Sequence, residues 1–123
     1  QVHAIKSVET ALSLLIATDT INRENSNHPL SIHIGINSGI ALVGSTCFEG
    51  LRGTRWTYTA TGPVTNLSAR LAALAAPGQI LIGPETMLRL GNHYRLEKVS
   101  RQCLKNIVEA IDIYCLLSPL SKT

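Results

Sequence analysis

The chain has 123 residues, 45% hydrophobic and 15% charged, which is enough for one globular domain and too apolar for a disordered one. Its net charge of +3 comes from scattered basic residues with only 4% aromatics, which excludes the dense basic stripe of a nucleic-acid binder and suits a small anionic ligand. No apolar run approaches the ~20 residues that cross a bilayer, and the three cysteines, Cys47, Cys103 and Cys115, are odd in number and lack C-x-x-C spacing, which indicates neither a disulfide framework nor a zinc site and fits a reducing, cytoplasmic setting.

Val2, Ile5, Val8, Leu12, Leu15 and Ile16 recur at steps of three and four, which predicts one face of a helix running to about Asn22. The chain opens on Gln1 with this pattern already under way, so a cut within a longer protein is expected. Asn25 to Pro29 form a polar break. Ile32, Ile34 and Ile36 alternate with His33 and Gly35, the pattern of a half-buried strand, and His33 falls on its less apolar face. Asn37-Ser38-Gly39 is a turn, and Ile40 to Val43 are a short second strand or a continuation.

Gly44 to Arg55 is polar and spaced by glycines, a loop or a long hairpin arm, with Cys47 in it. Trp56 to Ala60 returns to strand chemistry, with Trp56 expected to pack. Pro63 suits the first turn of a helix, which runs to about Ala75 with Leu67, Leu71 and Leu74 along one side. Gln79 to Ile82 form a short strand, Pro84 opens a helix ending near Gly91, and Tyr94 to Ser100 and Val108 to Leu117 are the closing strands. Helices mixed with mainly antiparallel strands make this an α+β chain.

The four histidines show no ligand spacing, and Gly35, Gly39 and Gly44 are not followed by the G-K-[ST] of a phosphate loop. Asn66 and Arg70 lie four apart on one helix and so share a face. Alone, that pair is equally a turn-favouring Asn and a solvated Arg.

Three stretches resemble the class III adenylate/guanylate cyclases: SIHIGINSGIALVG from Ser31 to Gly44, RWTYTATGPVTNLSARL from Arg55 to Leu71, and LKNIVEAIDIYCL from Leu104 to Leu116. LAAPGQILI, from Leu74 to Ile82, is similar to the family's connector. The resemblance implies a ferredoxin-like α+β class III cyclase fold of which residues 1–123 are the C-terminal portion, with the first strands and the metal-ligand Asp residues upstream. It implies part of an adenylate cyclase domain of bacterial type, which makes cyclic AMP and pyrophosphate from ATP for intracellular signalling. Asn66 is then the ribose-orienting residue, and Arg70 stabilises the transferring phosphorus centre.

Thr59, seven residues before Asn66, takes the base-selecting position, where Asp or Thr goes with ATP and Cys with GTP; its hydroxyl both donates and accepts. Lys105 takes the place of a triphosphate-binding lysine. Asn106 stands where the family more often has Gly, and Pro63 where it often has Asp. The family reaction also uses Mg2+ or Mn2+ on two Asp residues, and the site is shared across a homodimer. The only Asp residues here, Asp19 and Asp112, match neither metal motif, so these residues alone are expected to be inactive. The other reading is a non-catalytic cyclase-like module that dimerises or senses nucleotide.

Overall fold

Small and branched side chains hold the first helix, α1 (Val2–Glu24), to the rest of the molecule: Ala4, Val8 and Ala11 are buried, with Ile5, Leu12 and Leu15 packed beside them. The stripe is one step round from the expected one, and Val2 and Ile16 face solvent. Alanine brings the helix closer to its support than a larger residue would, which is why the contact line follows Ala4 and Ala11. Thr10, Ser13, Thr18 and Thr20 return their hydroxyls to carbonyls four residues back. Asn22 ends the helix region by holding both the N–H (2.7 Å) and the carbonyl (2.8 Å) of Leu30.

The computed structural model describes residues 2–25, 27–102 and 111–119. After α1 come β1 (Ile34–Ile36), β2 (Leu42–Gly50), β3 (Gly53–Thr61), α2 (Pro63–Leu74), β4 (Ile80–Ile82), α3 (Pro84–Leu90), β5 (Tyr94–Gln102) and β6 (Ile111–Pro119). One sheet has the order β1-β4-β6-β5. β1 and β4 are parallel, and the β4–β6 and β5–β6 pairs are antiparallel. Three further backbone bonds extend the β1–β4 contact: Gly78 N–H to Ile32 at 2.7 Å, Ile34 N–H to Gln79 at 3.0 Å and Gly83 N–H to Ile36 at 3.0 Å.

The sheet is covered on both faces. Ile80 and Ile82 of β4 join Ile36, the α1 stripe and Leu90 of α3 in one core. Leu81, between them, joins Ile113, Cys115, Leu71 and Ala75 in the other, under α2. This alternation is the period of two of a strand buried on both sides. Burying a leucine such as Leu71 fully contributes about 1.5–3 kcal/mol, so both layers are needed to hold so short a β4. Leu74, expected beside Leu71, is exposed, because the buried line of α2 follows Leu67, Leu71 and Ala75 at steps of four.

The segment from Gly44 to Arg55 resolves in favour of the hairpin. β2 and β3 pair in register from Leu42↔Thr61 to Gly50↔Gly53, forming a separate two-stranded ribbon. Cys47 therefore sits on a strand and is exposed, and Trp56 is 69% exposed instead of packed, because both stand on the side of the ribbon away from the domain. Among the described residues no helix is long and apolar enough to cross a membrane.

Candidate active site

The strand β3 turns directly into α2 through Gly62, whose φ of 118° is a conformation that side chains rarely adopt. Pro63 follows at the helix start, where its missing N–H costs nothing, and the Asn66 N–H closes the first turn on the Gly62 carbonyl at 3.0 Å. Thr59, Asn66 and Arg70 thus belong to one strand–turn–helix unit in which α2 packs against β3.

Thr59 pairs with Gly44 and is half-buried, as is Thr57, on the ribbon face turned to the domain. With Leu67 and Leu71 drawn towards the sheet, Asn66 and Arg70 lie on the flank of α2. Asn66 is exposed and Arg70 half-exposed, one helical turn apart. Lys105 lies outside the described residues.

A second set of contacts governs how α2 is seated. His33, just ahead of β1, bonds the Ala72 carbonyl through Nδ1, which must carry the proton because a carbonyl only accepts. At Gly35 there is no room for a side chain: a Cβ would overlap the Ser68 carbonyl and the Ala72 nitrogen and lie 2.9 Å from the Leu71 Cβ. Asn37 donates through Nδ2 to the Val64 carbonyl at 3.1 Å. The isoleucines of this segment are legible in the sequence as a core face. The opposite face, His33-Gly35-Asn37, has no apolar signal and becomes visible only when α2 is laid across it.

Among the described residues, two clefts lie beside α1. One of about 340 Å³ lies between α1 and the Leu30–Ile32 segment, with Asp19 on its wall. Another of about 430 Å³ lies beside the starts of α1 and α2, lined by His3, Ser7, Asn37, Thr65, Ser68 and Arg89 among others. Neither is lined by Thr59, Asn66 or Arg70. Of the three side chains Asn66 is exposed, and Thr59 and Arg70 are half-buried.

The adenylate and guanylate cyclase catalytic domain model matches residues 1–118. The chain belongs to this family. An uncharacterised protein of Rhizobium meliloti is 30% identical over 89 residues, covering 72% of this chain and 8% of that protein. The guanylate cyclase domain of RhGC from Catenaria anguillulae, solved with GTP, superposes with a TM-score of 0.77 at 19% identity, over 96% of this chain and 61% of that one. The adenylyl cyclase CyaB of P. aeruginosa superposes with a TM-score of 0.72 at 24% identity, over 91% and 55%. These two likenesses are of fold, and they include cyclases of both nucleotide classes. The chain spans less than a tenth of its curated relative and 61% or less of these two solved chains.

Cyclase domains use divalent cations, so the carboxylates of this one bear examination. Asp19 is on α1, and Asp112 is on β6 in an ion pair with Lys98 at 3.4 Å. Among the described residues no three His, Cys, Asp or Glu side chains are grouped as a metal site requires. The described residues do not fit the cations.

Proposed function

We propose that this cyclase domain is part of an adenylate cyclase, in which residues 1–123 supply one side of a site shared between two copies. The observation that carries the reading is the pair Asn66 and Arg70, one turn apart on the outward flank of α2 in a chain of the cyclase family. In the reaction the ribose 3'-oxygen bonds to the α-phosphorus, losing its proton. The bond from that phosphorus to the bridging oxygen of the β-phosphate breaks, and pyrophosphate leaves with the electron pair. Negative charge grows on the α-phosphate oxygens, where the fixed guanidinium of Arg70 stabilises it. Asn66 orients the ribose so that the attack is in line. Thr59, with a hydroxyl that can accept from an exocyclic amine, faces adenine, and Lys105 binds the triphosphate.

An exposed Asn66 beside half-buried Thr59 and Arg70 is compatible with a shared site. A second copy laid over Thr59, Asn66 and Arg70 excludes water and strengthens the charge interactions there. Mg2+ or Mn2+, on carboxylates from outside the described residues, completes the proposal. A non-catalytic module would have no use for the Asn66–Arg70 pair.

The test uses the whole protein with ATP and GTP as rival substrates. Arg70→Ala should lower kcat by about 100-fold or more with KM changed less than about threefold, because the contact is made in the transition state. Cyclic AMP should be the main product. Turnover unchanged in Arg70→Ala, or mostly cyclic GMP from the wild type, would count against the mechanism and the base assignment respectively.

A further inference from the structure

We infer that His33, Gly35 and Asn37 are positioning residues for cyclisation: they fix the depth and the slide of α2, and with it the places of Asn66 and Arg70. The inference rests on the catalytic reading of that pair.

The three residues alternate along one strand segment, so all present the same face, and each meets α2 at a different level: Asn37 at Val64, Gly35 at Ser68 and Leu71, His33 at Ala72. The two end contacts have matching spans. From Val64 to Ala72 an α-helix rises about 12 Å, and from His33 to Asn37 a strand advances about 13 Å. A helix antiparallel to the strand can therefore make both end bonds at one axial position, and a shift of one residue breaks both.

Depth is set between them. Gly35 lets the helix backbone lie on the strand backbone, and any side chain there would push α2 outward. The His33 partner is one the helix leaves open. The Ala72 carbonyl would ordinarily receive the Ala76 N–H, but that N–H is given to Gln79 Oε1 at 2.8 Å, and His33 takes its place. At the other end Gly83 leaves room for Asn37: a Cβ there would lie 2.5 Å from the Asn37 Oδ1 and 3.3 Å from its Cγ. A displacement of about 1 Å at a reacting centre can cost 100-fold in rate, so a clamp on this helix acts on turnover as well as on stability.

Gly35→Ala risks unfolding the domain, so Asn37 is the position to change. In the whole protein Asn37→Ala should lower kcat about tenfold while nucleotide KM moves less than about twofold. Asn37→His, which restores an N–H donor, should recover most of the loss. On an Arg70→Ala background the same Asn37→Ala change should cost less than about twofold, because the two act through one helix. Amide exchange across residues 65–74 should quicken in Asn37→Ala and stay unchanged in β5 and β6. A normal kcat in Asn37→Ala beside a crippled Arg70→Ala overturns the positioning role, as does a full tenfold loss repeated on Arg70→Ala. If Arg70→Ala is itself fully active, the catalytic reading falls instead. Exchange then decides alone, and unchanged protection across α2 sinks the clamp.

Discussion

Tyr94 shows how a single residue ties the two sides of a core together. It starts β5 and packs with the cluster formed by α1, β1, β4 and α3. Burial pushes its phenol above the usual 10.0, and the Glu9 carboxylate of α1 adds to the shift. The fold therefore holds this proton more tightly than the unfolded chain does. The stabilisation is fully present below the unfolded value and is lost as pH rises through the folded one. Urea midpoints followed from about pH 8 to 11.5 should fall more steeply above about pH 10 for the wild type than for Tyr94→Phe. Parallel curves would remove Tyr94 from the alkaline transition. Of the residues singled out, Asn66 and Arg70 share a helix face, as their step of four predicts, while the roles proposed for them come from the family resemblance. His33 and Asn37 were not legible in the sequence, since their partners are backbone carbonyls on a helix some thirty positions away, and no spacing records such a contact.

Most elements were readable from period and punctuation: Pro63 and Pro84 open helices as expected, and β1, β4 and β5 fall where alternation or an apolar run put them. The ribbon was the ambiguous one. Its strands carry Gly44, Gly50 and Gly53 and polar residues on both sides, and a strand that packs against little has no apolar alternation to reveal it. In the proposed shared-site assembly the same property would suit it to contact a second copy. Val43, Tyr58 and Trp56 lie exposed on the face opposite Thr57 and Thr59, with Phe48 and Leu51 exposed nearer the tip. A lone two-stranded hairpin is marginal in water, so a partner chain would steady it. Replacing Trp56 and Tyr58 together by Ser should weaken self-association of the whole protein at least about tenfold by sedimentation, while the melting temperature of the monomer stays within a few degrees, as expected of exposed positions. Undiminished association would place the dimer contact elsewhere.

On the scale of the whole molecule, the described carboxylates are not grouped as a metal site requires. The 123 residues alone should therefore form no cyclic nucleotide from ATP with Mn2+, even at concentrations where they associate. Two copies of Arg70 would still lack a cation between them. Product from the purified 123-residue chain would refute the need for carboxylates from outside it.

The ribbon also bears on how quickly this arrangement can assemble. β1 and β4 are neighbours in the sheet, yet β2, β3 and α2 all lie between them in the chain. Closing so long a loop is the slow part of building a non-local pair. The hairpin needs only local contacts, and it brings Leu42 beside Thr61 before β4 has to find β1. Once formed, it shortens the remaining loop enough to lower the closure cost by about 0.5 kcal/mol, roughly a twofold gain in rate if the hairpin is in place at the barrier. An arm that stands clear of the finished core would thus be a kinetic aid to building it.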